Sequence, residues 1–177
     1  MVKQIVWFSD KGMLQATHLI LLLLPLVLGM LAGSLPRKLC GKEELDGPAA
    51  LTPPGWVFGV VWTVLYLMLG VVLLRLAGTG GHTPLDRIGL VLFSAQLVLN
   101  LSWTSVYLCV SRQAAFFVIA AIVALTLSLA LWLAGRDPVS AALLGPYVAW
   151  LLAAAHLNAL VVHAPTHTSS KPASDGV

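Results

Sequence analysis

The sequence has little charge. Of its 177 residues, 10 are Lys or Arg and 7 are Asp or Glu, which makes 10% charged, against about 25% in an average soluble domain. Apolar residues make up 59% of the chain, and the mean hydropathy is +0.92. Because so few charged side chains cannot cover a soluble surface, the composition predicts an integral membrane protein. A net charge of +3, scattered along the chain, also excludes a nucleic-acid partner.

Cysteine and catalytic motifs are scarce as well. Two cysteines exclude a disulfide-rich scaffold and a Cys-rich zinc site. Cys40 and Cys109 are expected on the same side of the membrane, but the sequence does not give their distance. There is no nucleophile elbow, phosphate loop or pair of carboxylates in an apolar setting, so we expect no enzyme and no cofactor. His156 and His163 share a helical face without a carboxylate or thiolate nearby, so no metal site is expected.

Long uncharged runs are what the sequence does have, and there are five of them. A bilayer core about 30 Å thick requires about 20 helical residues, and each run is long enough. Helices are expected because open sheets leave backbone groups unsatisfied in lipid. The prediction is an all-α integral membrane protein, a five-transmembrane-helix bundle with spans at about 16–35, 55–76, 88–110, 114–134 and 139–162. These spans form one domain, 1–165, followed by a Ser/Thr/Pro-rich tail, 166–177, that we expect to be disordered.

Two questions stay open at this level. The first apolar run, which follows Lys3 and Lys11, is also compatible with a cleaved signal peptide. Membrane orientation is undecided because basic residues are balanced across the two sides. One side has Lys3, Lys11, Arg75, Arg87 and Arg136, and the other has Arg37, Lys38, Lys42, Arg112 and Lys171.

The predicted spans hold only neutral polar groups in their middles, which argues against a proton-driven pump. Gln96 and Asn100 are four residues apart and share a face of helix three. They predict either an interhelical hydrogen bond or a polar group in a ligand pocket, with Asn158 of helix five as the expected partner in both cases.

Trp62 and Tyr66 are also four residues apart and share a face of helix two. Aromatic residues with a few amides suit either a pocket for a flat apolar ligand or ordinary core packing.

Small residues and prolines mark the helix contacts. Gly29-x-x-x-Gly33 and Gly55-x-x-x-Gly59 predict close helix packing, either within the bundle or at a dimer seam. Pro25 and Pro146 are expected inside helices one and five, where each bends its helix or marks its start.

Several segments together resemble the translocator protein family, also called TspO/MBR or the peripheral benzodiazepine receptor. They are PPGWVFGVVWTVLY at 53–66, QLVLNLSW at 96–103, Arg112-Gln113, PYVAW at 146–150 and Leu157-Asn158, with Pro25-x-x-x-Gly29 fitting more loosely. The segments follow the family's order and spacing from about residue 20 to residue 162. This coverage makes chance a poor explanation.

The resemblance implies a homodimer of five-helix bundles, each with a cavity between the helices that loop one closes. It implies hydrophobic ligands: cholesterol or other sterols, protoporphyrin and haem-type tetrapyrroles, and isoquinoline or benzodiazepine drugs. The role is transport, sensing or scavenging, with the ligand and membrane lipid as partners. Carried onto this chain, the ligand-binding positions are Phe58, Val61, Trp62, Asn100, Trp103, Phe116, Ile119, Trp150, Ala154, Leu157 and Asn158.

The chain departs from the family pattern at two places. In loop one the usual aromatic residues are missing, and Leu51 stands where a Trp is usual, which argues against the enzymatic alternative of porphyrin breakdown. At the end of helix five, Ala159 and His163 replace the Tyr and basic residue of the usual cholesterol motif. Leu101, Tyr107 and Arg112 form another match to the general sterol pattern.

The resemblance also implies which membrane contains the protein. It implies a multi-pass protein of the mitochondrial outer membrane in a eukaryote, or otherwise of a bacterial cell membrane. The remaining alternative is a structural scaffold without a small-molecule ligand, which predicts no ligand-dependent change in thermal stability.

Overall fold

The backbone is described for residues 2–40, 54–78 and 84–163 in this computed structural model. Side chains are described for 15–40, 54–78, 87–160 and 162. These ranges contain five helices and no strand. The helices are α1 Val2–Leu39, α2 Gly55–Gly78, α3 Pro84–Cys109, α4 Arg112–Ala134 and α5 Pro138–His163. Most of loop one, which includes Leu51, and the predicted tail 166–177 lie outside the described residues.

All five helices are long and apolar enough to cross a membrane, which confirms the predicted fold class. The spans are Gln15–Leu39, Gly55–Gly78, Arg87–Cys109, Arg112–Ala134 and Pro138–Leu160. The first span was predicted to end at residue 35. The helix instead continues through Pro36 to Leu39, and the amide of Cys40 donates to the carbonyl of Pro36 at 2.8 Å. Pro25 and Pro146 lie inside helices, as predicted.

The helices form a ring in the order α1, α2, α5, α4 and α3, and α2 also touches α3 across the centre. Consecutive helices are antiparallel, so one end of the bundle carries Cys40 and Cys109 and is called the cysteine end. The opposite end carries Arg75 and Asp137 and is called the arginine end. Every buried residue of α2 lies between Leu65 and Leu76, in the half that approaches the arginine end.

Glycines allow the helices to approach closely in this half of the bundle. A Cβ at Gly70 would overlap the carbonyl of Leu22, and a Cβ at Gly29 would overlap the ring of Tyr66. Gly29 therefore serves packing within the bundle, one of the two interpretations of its motif. At Gly33, Gly55 and Gly59, no neighbouring atom from the described part of the chain would lie within 4 Å of an added Cβ.

Polar caps fix the ends of the later helices. The hydroxyl of Ser111 accepts from the amide of Ala114 at 3.0 Å and caps α4. At the arginine end, the carboxylate of Asp137 accepts from the amide of Ser140 at 3.3 Å, at the start of α5. The same carboxylate pairs with the guanidinium of Arg75 at 2.7 Å and 2.8 Å. This ion pair ties the end of α2 to the start of α5.

Candidate functional site

A chain of hydrogen bonds joins three helices in the middle of the bundle. The hydroxyl of Tyr66 on α2 donates to Oδ1 of Asn100 on α3 at 2.6 Å. Nδ2 of Asn100 donates to the hydroxyl of Tyr147 on α5 at 2.9 Å. That hydroxyl donates to Oε1 of Gln96 at 3.0 Å. The interhelical interpretation of Gln96 and Asn100 is therefore observed.

The expected pairing of Asn100 with Asn158 is wrong, because the two tyrosines take both ends of the Asn100 amide. Sequence reasoning placed Tyr66 beside Trp62 and quoted Tyr147 within a motif, but it did not identify either as a hydrogen-bond partner. The sequence does contain a signal that could have identified these two tyrosines. Buried amides in an apolar bundle need partners, and a tyrosine hydroxyl on a neighbouring helix both donates and accepts.

A second group of polar atoms is buried without a hydrogen-bond partner among the described residues. Its members are Nε1 of Trp103, Nε1 of Trp150, both amide atoms of Asn158, and Nε2 of Gln96. Burying a polar group without a partner is unfavourable, and most buried polar groups in folded proteins have one. The hydrogen-bonding capacity of these five atoms is therefore left unsatisfied by the described residues.

Aromatic rings form a cluster that includes Trp150, one of the residues with an unpartnered atom. The ring of Trp150 lies 5.4 Å from that of Phe58 and 6.5 Å from that of Trp62. Trp62 also stacks on Tyr66 at 5.3 Å and meets Tyr147 at 6.4 Å. We call these five residues the aromatic cluster. It joins α2 to α5, and its two tyrosines belong to the hydrogen-bonded chain.

An apolar groove of about 510 Å³ runs between α2 and α5 on the outside of the bundle. Trp150 belongs both to this groove and to the aromatic cluster, so the groove leads to the cluster. The lining is nearly all aliphatic: Val60, Val61, Val64, Leu65, Met68, Pro146, Ala149 and Trp150.

The predicted ligand-binding residues occupy different environments. Phe58, Trp62 and Trp150 meet in the aromatic cluster, and Val61 lines the groove. The ring of Trp103 lies 5.2 Å from that of Tyr107, tilted by 34°. Ala154 packs on the core from α5, Leu157 is half-buried, and Asn158 is buried.

The two predicted positions on α4 do not share one environment. The ring of Phe116 lies 5.9 Å from that of its neighbour Phe117. Ile119 is buried in the hydrophobic core. The assignment of α4 to the ligand site stays a prediction.

Charge is confined to the ends of the bundle within the part of the chain that the structure describes. The guanidinium of Arg75 holds the pKa of the Asp137 carboxyl well below its usual range. Within the same part of the chain, no three His, Cys, Asp or Glu side chains gather to hold a metal ion. The polar atoms of the candidate site are thus neutral, and they act by hydrogen bonding.

These features define a multi-pass helical membrane protein with an aromatic, hydrogen-bonding site between its helices. The model of the TspO/MBR family matches residues 21–163. The chain belongs to this family.

Sequence identity to individual relatives supports this family assignment. The tryptophan-rich protein TspO of Chlorobaculum tepidum is 35% identical over 107 residues, which cover 60% of this chain and 68% of that protein. The tryptophan-rich sensory protein of Cereibacter sphaeroides is 31% identical over 107 residues, covering 60% and 65%. The human translocator protein is 33% identical over 109 residues, covering 60% and 64%. The matched regions thus span about two thirds of each relative.

Proposed function

We propose that this chain is a membrane receptor or carrier for a hydrophobic small molecule of the sterol or tetrapyrrole class. The ligand would lie between α2, α3 and α5, against the aromatic cluster. The observation that carries the proposal is the set of buried, unpartnered polar atoms of Trp103, Trp150 and Asn158. The names of the relatives, sensory protein and translocator protein, are consistent with this role.

The chemistry of the site favours a flat, mostly apolar ligand with a few polar atoms. The indole groups of Trp103 and Trp150 offer two donors, and the amide of Asn158 offers donors and an acceptor. A carbonyl, carboxyl or hydroxyl group of the ligand matches these atoms. Aromatic rings on α2 and α5 suit a ring system by stacking or edge contacts. Burial of apolar area contributes about 25 cal/mol per Å² before ordering costs are subtracted.

The groove between α2 and α5 supports entry from the bilayer. Val60 and Val64 line the groove and are exposed on α2, and Trp150 lines the same groove from α5. A hydrophobic ligand dissolved in the membrane would therefore reach the aromatic cluster without crossing water.

The proposal requires binding without covalent chemistry, and hence a protein that is not an enzyme. Family membership further supports a homodimer, a mitochondrial outer membrane or bacterial cell membrane as its location, and isoquinoline or benzodiazepine drugs as further ligands. The rest of the ligand-binding set, Val61, Asn100, Phe116, Ile119, Ala154 and Leu157, would form or support the walls of the site.

The test is a titration of the detergent-purified protein with protoporphyrin and, separately, cholesterol, followed by tryptophan quenching and thermal shift. Trp150→Phe keeps an aromatic ring but removes the unpartnered N–H. We expect this variant to weaken binding of the better ligand by about 1 kcal/mol, roughly fivefold in Kd. Trp132→Phe is the matched control, because Trp132 lies on α4 at the arginine end, against Arg136.

Each outcome bears on one hypothesis. Equal Kd values in the two variants would remove Trp150 from the site. Absence of any thermal shift with both ligands would favour the scaffold alternative. Illumination that bleaches the Soret band faster with protein than without it would favour the enzymatic alternative.

A further inference from the structure

A disulfide bond joins Cys40 and Cys109, 69 residues apart in sequence, with their Cα atoms 5.5 Å apart. Cys40 follows the last residue of α1, and Cys109 is the last residue of α3. Both residues are exposed at the cysteine end. An exposed disulfide is accessible to reductants and is more easily reduced than a buried one.

The last turns of α1 are less closely packed against the described residues than its middle is. Close packing of α1 on α2 occurs at Leu22 and Gly29, whereas no atom of the described residues lies within 4 Å of where a Cβ of Gly33 would be. Beyond it, Leu35 is 52% exposed and Leu39 is 81% exposed, although Pro36 is buried. The disulfide is a covalent restraint that holds this end of α1 against α3.

The end of α3 also carries part of the candidate site. The ring of Tyr107, two residues before Cys109, contacts that of Trp103, whose indole N–H has no partner among the described residues. Six residues of helix separate Trp103 from Cys109, which is about 9 Å along the axis. A movement between α1 and α3 at the disulfide therefore acts within two turns of the site.

We propose that the Cys40–Cys109 disulfide is a redox-sensitive switch that controls ligand exchange. In the oxidised state it holds α1 against α3 and keeps the bundle closed beside Trp103. A dithiol reductant supplies two electrons and two protons: the S–S bond breaks, two thiols form, and the dithiol becomes a disulfide. The last turns of α1 then separate from α3, and the bound ligand leaves faster. The ligand part of this proposal rests on the proposed function.

The compartment determines which state is populated. Disulfides persist in oxidising compartments and are rare where thiol reductants are maintained. The closed state therefore requires the cysteine end to face an oxidising compartment, and exposure of that end to a reducing one opens the bundle.

The experiment compares oxidised protein with protein treated with dithiothreitol, both in detergent micelles. Because the chain has only these two cysteines, the reductant acts at one place. Hydrogen exchange is measured over residues 30–39 and, as an internal control, over residues 65–76. Protoporphyrin dissociation is measured in parallel. We expect faster exchange over 30–39 alone and a dissociation rate that rises about tenfold, since affinity changes appear mostly in dissociation.

The double variant Cys40→Ser/Cys109→Ser is the matched control and should behave like reduced protein, with or without dithiothreitol. Unchanged exchange over 30–39 on reduction would overturn the switch. Faster exchange with an unchanged dissociation rate would overturn its link to the site. If protoporphyrin binds in neither state, the proposed function fails for that ligand, and hydrogen exchange still decides whether the disulfide restrains α1.

Discussion

The two halves of α2 are both apolar and yet pack differently. From Leu65 to Leu76, seven residues are buried, and Gly70 lies directly against the backbone of α1. From Gly55 to Val64, no residue is buried, and two glycines have open space beside them. The first half instead supplies Phe58 and Trp62 to the aromatic cluster. One half of the helix thus packs tightly in the bundle, and the other half is less closely packed against the described residues.

Two buried asparagines also differ from each other, in their hydrogen bonding. Asn100 is 6% exposed and has both ends of its amide hydrogen-bonded. Asn158 is 3% exposed and has no partner among the described residues. The amide of one buried asparagine therefore stabilises the contact between helices, whereas the amide of the other is buried without that compensation from the described residues.

The largest effect is expected at Gly70. Gly70→Ala would force a methyl group into the carbonyl of Leu22, and a backbone atom cannot move aside as a flexible side chain can. We expect a loss of about 3 kcal/mol, the upper part of the range for overpacked cores, measured as a lower Tm in detergent. Gly59→Ala is the control on the same helix and should be neutral or stabilising by up to about 1 kcal/mol. Equal losses in both variants would contradict the contrast between the two halves.

The next largest effect is expected at the two buried asparagines, whose substitutions should change thermal stability differently. Asn100→Leu leaves Tyr66 without its acceptor and Tyr147 without a donor, so we expect a loss of about 1–3 kcal/mol. Asn158→Leu removes an unpartnered amide, so thermal stability should hold or rise while protoporphyrin or cholesterol binding weakens. Thermal melts and ligand titrations of both variants check this. A clear loss of stability in Asn158→Leu without ligand would show that its amide has a structural role.

The smallest effect concerns pH at the arginine end. Arg75 lowers the pKa of Asp137, so this ion pair stabilises the fold above the ordinary carboxyl pKa of about 4 and loses that contribution as pH falls further. The contribution should be small, because the Arg75 side chain is 44% exposed. We expect the Tm of the wild type to fall more steeply below pH 4 than that of Arg75→Gln. Arg136→Gln, which leaves the ion pair intact, should follow the wild type, and parallel curves for all three proteins would exclude the ion pair as a source of acid sensitivity.

Spans and membrane class were predictable from the sequence because the constraint is local. A bilayer demands about 20 apolar residues for each crossing, and charged residues separate such runs in this chain. The end of α1 was less predictable: the span was expected to end at about residue 35, but the helix continues through Pro36, since proline is tolerated in membrane helices where neighbouring groups satisfy the backbone. The tryptophans and amides of the candidate site were also visible, since they stand in recognisable motifs.

The hydrogen-bond partners of the buried amides, in contrast, were not predictable from the sequence. Helical periodicity assigned Gln96 and Asn100 to one face of α3, but it could not say that Tyr66 and Tyr147 would meet them across 34 and 47 residues of chain. It likewise left Cys40 and Cys109 on one side of the membrane without a distance, and it gave no groove between α2 and α5. The amino-acid sequence by itself determined the number of crossings, the helical class and the candidate ligand-binding residues. Only the tertiary structure decided which polar atoms of the described residues are paired and which are not, because pairing depends on how the five helices are arranged and rotated against one another.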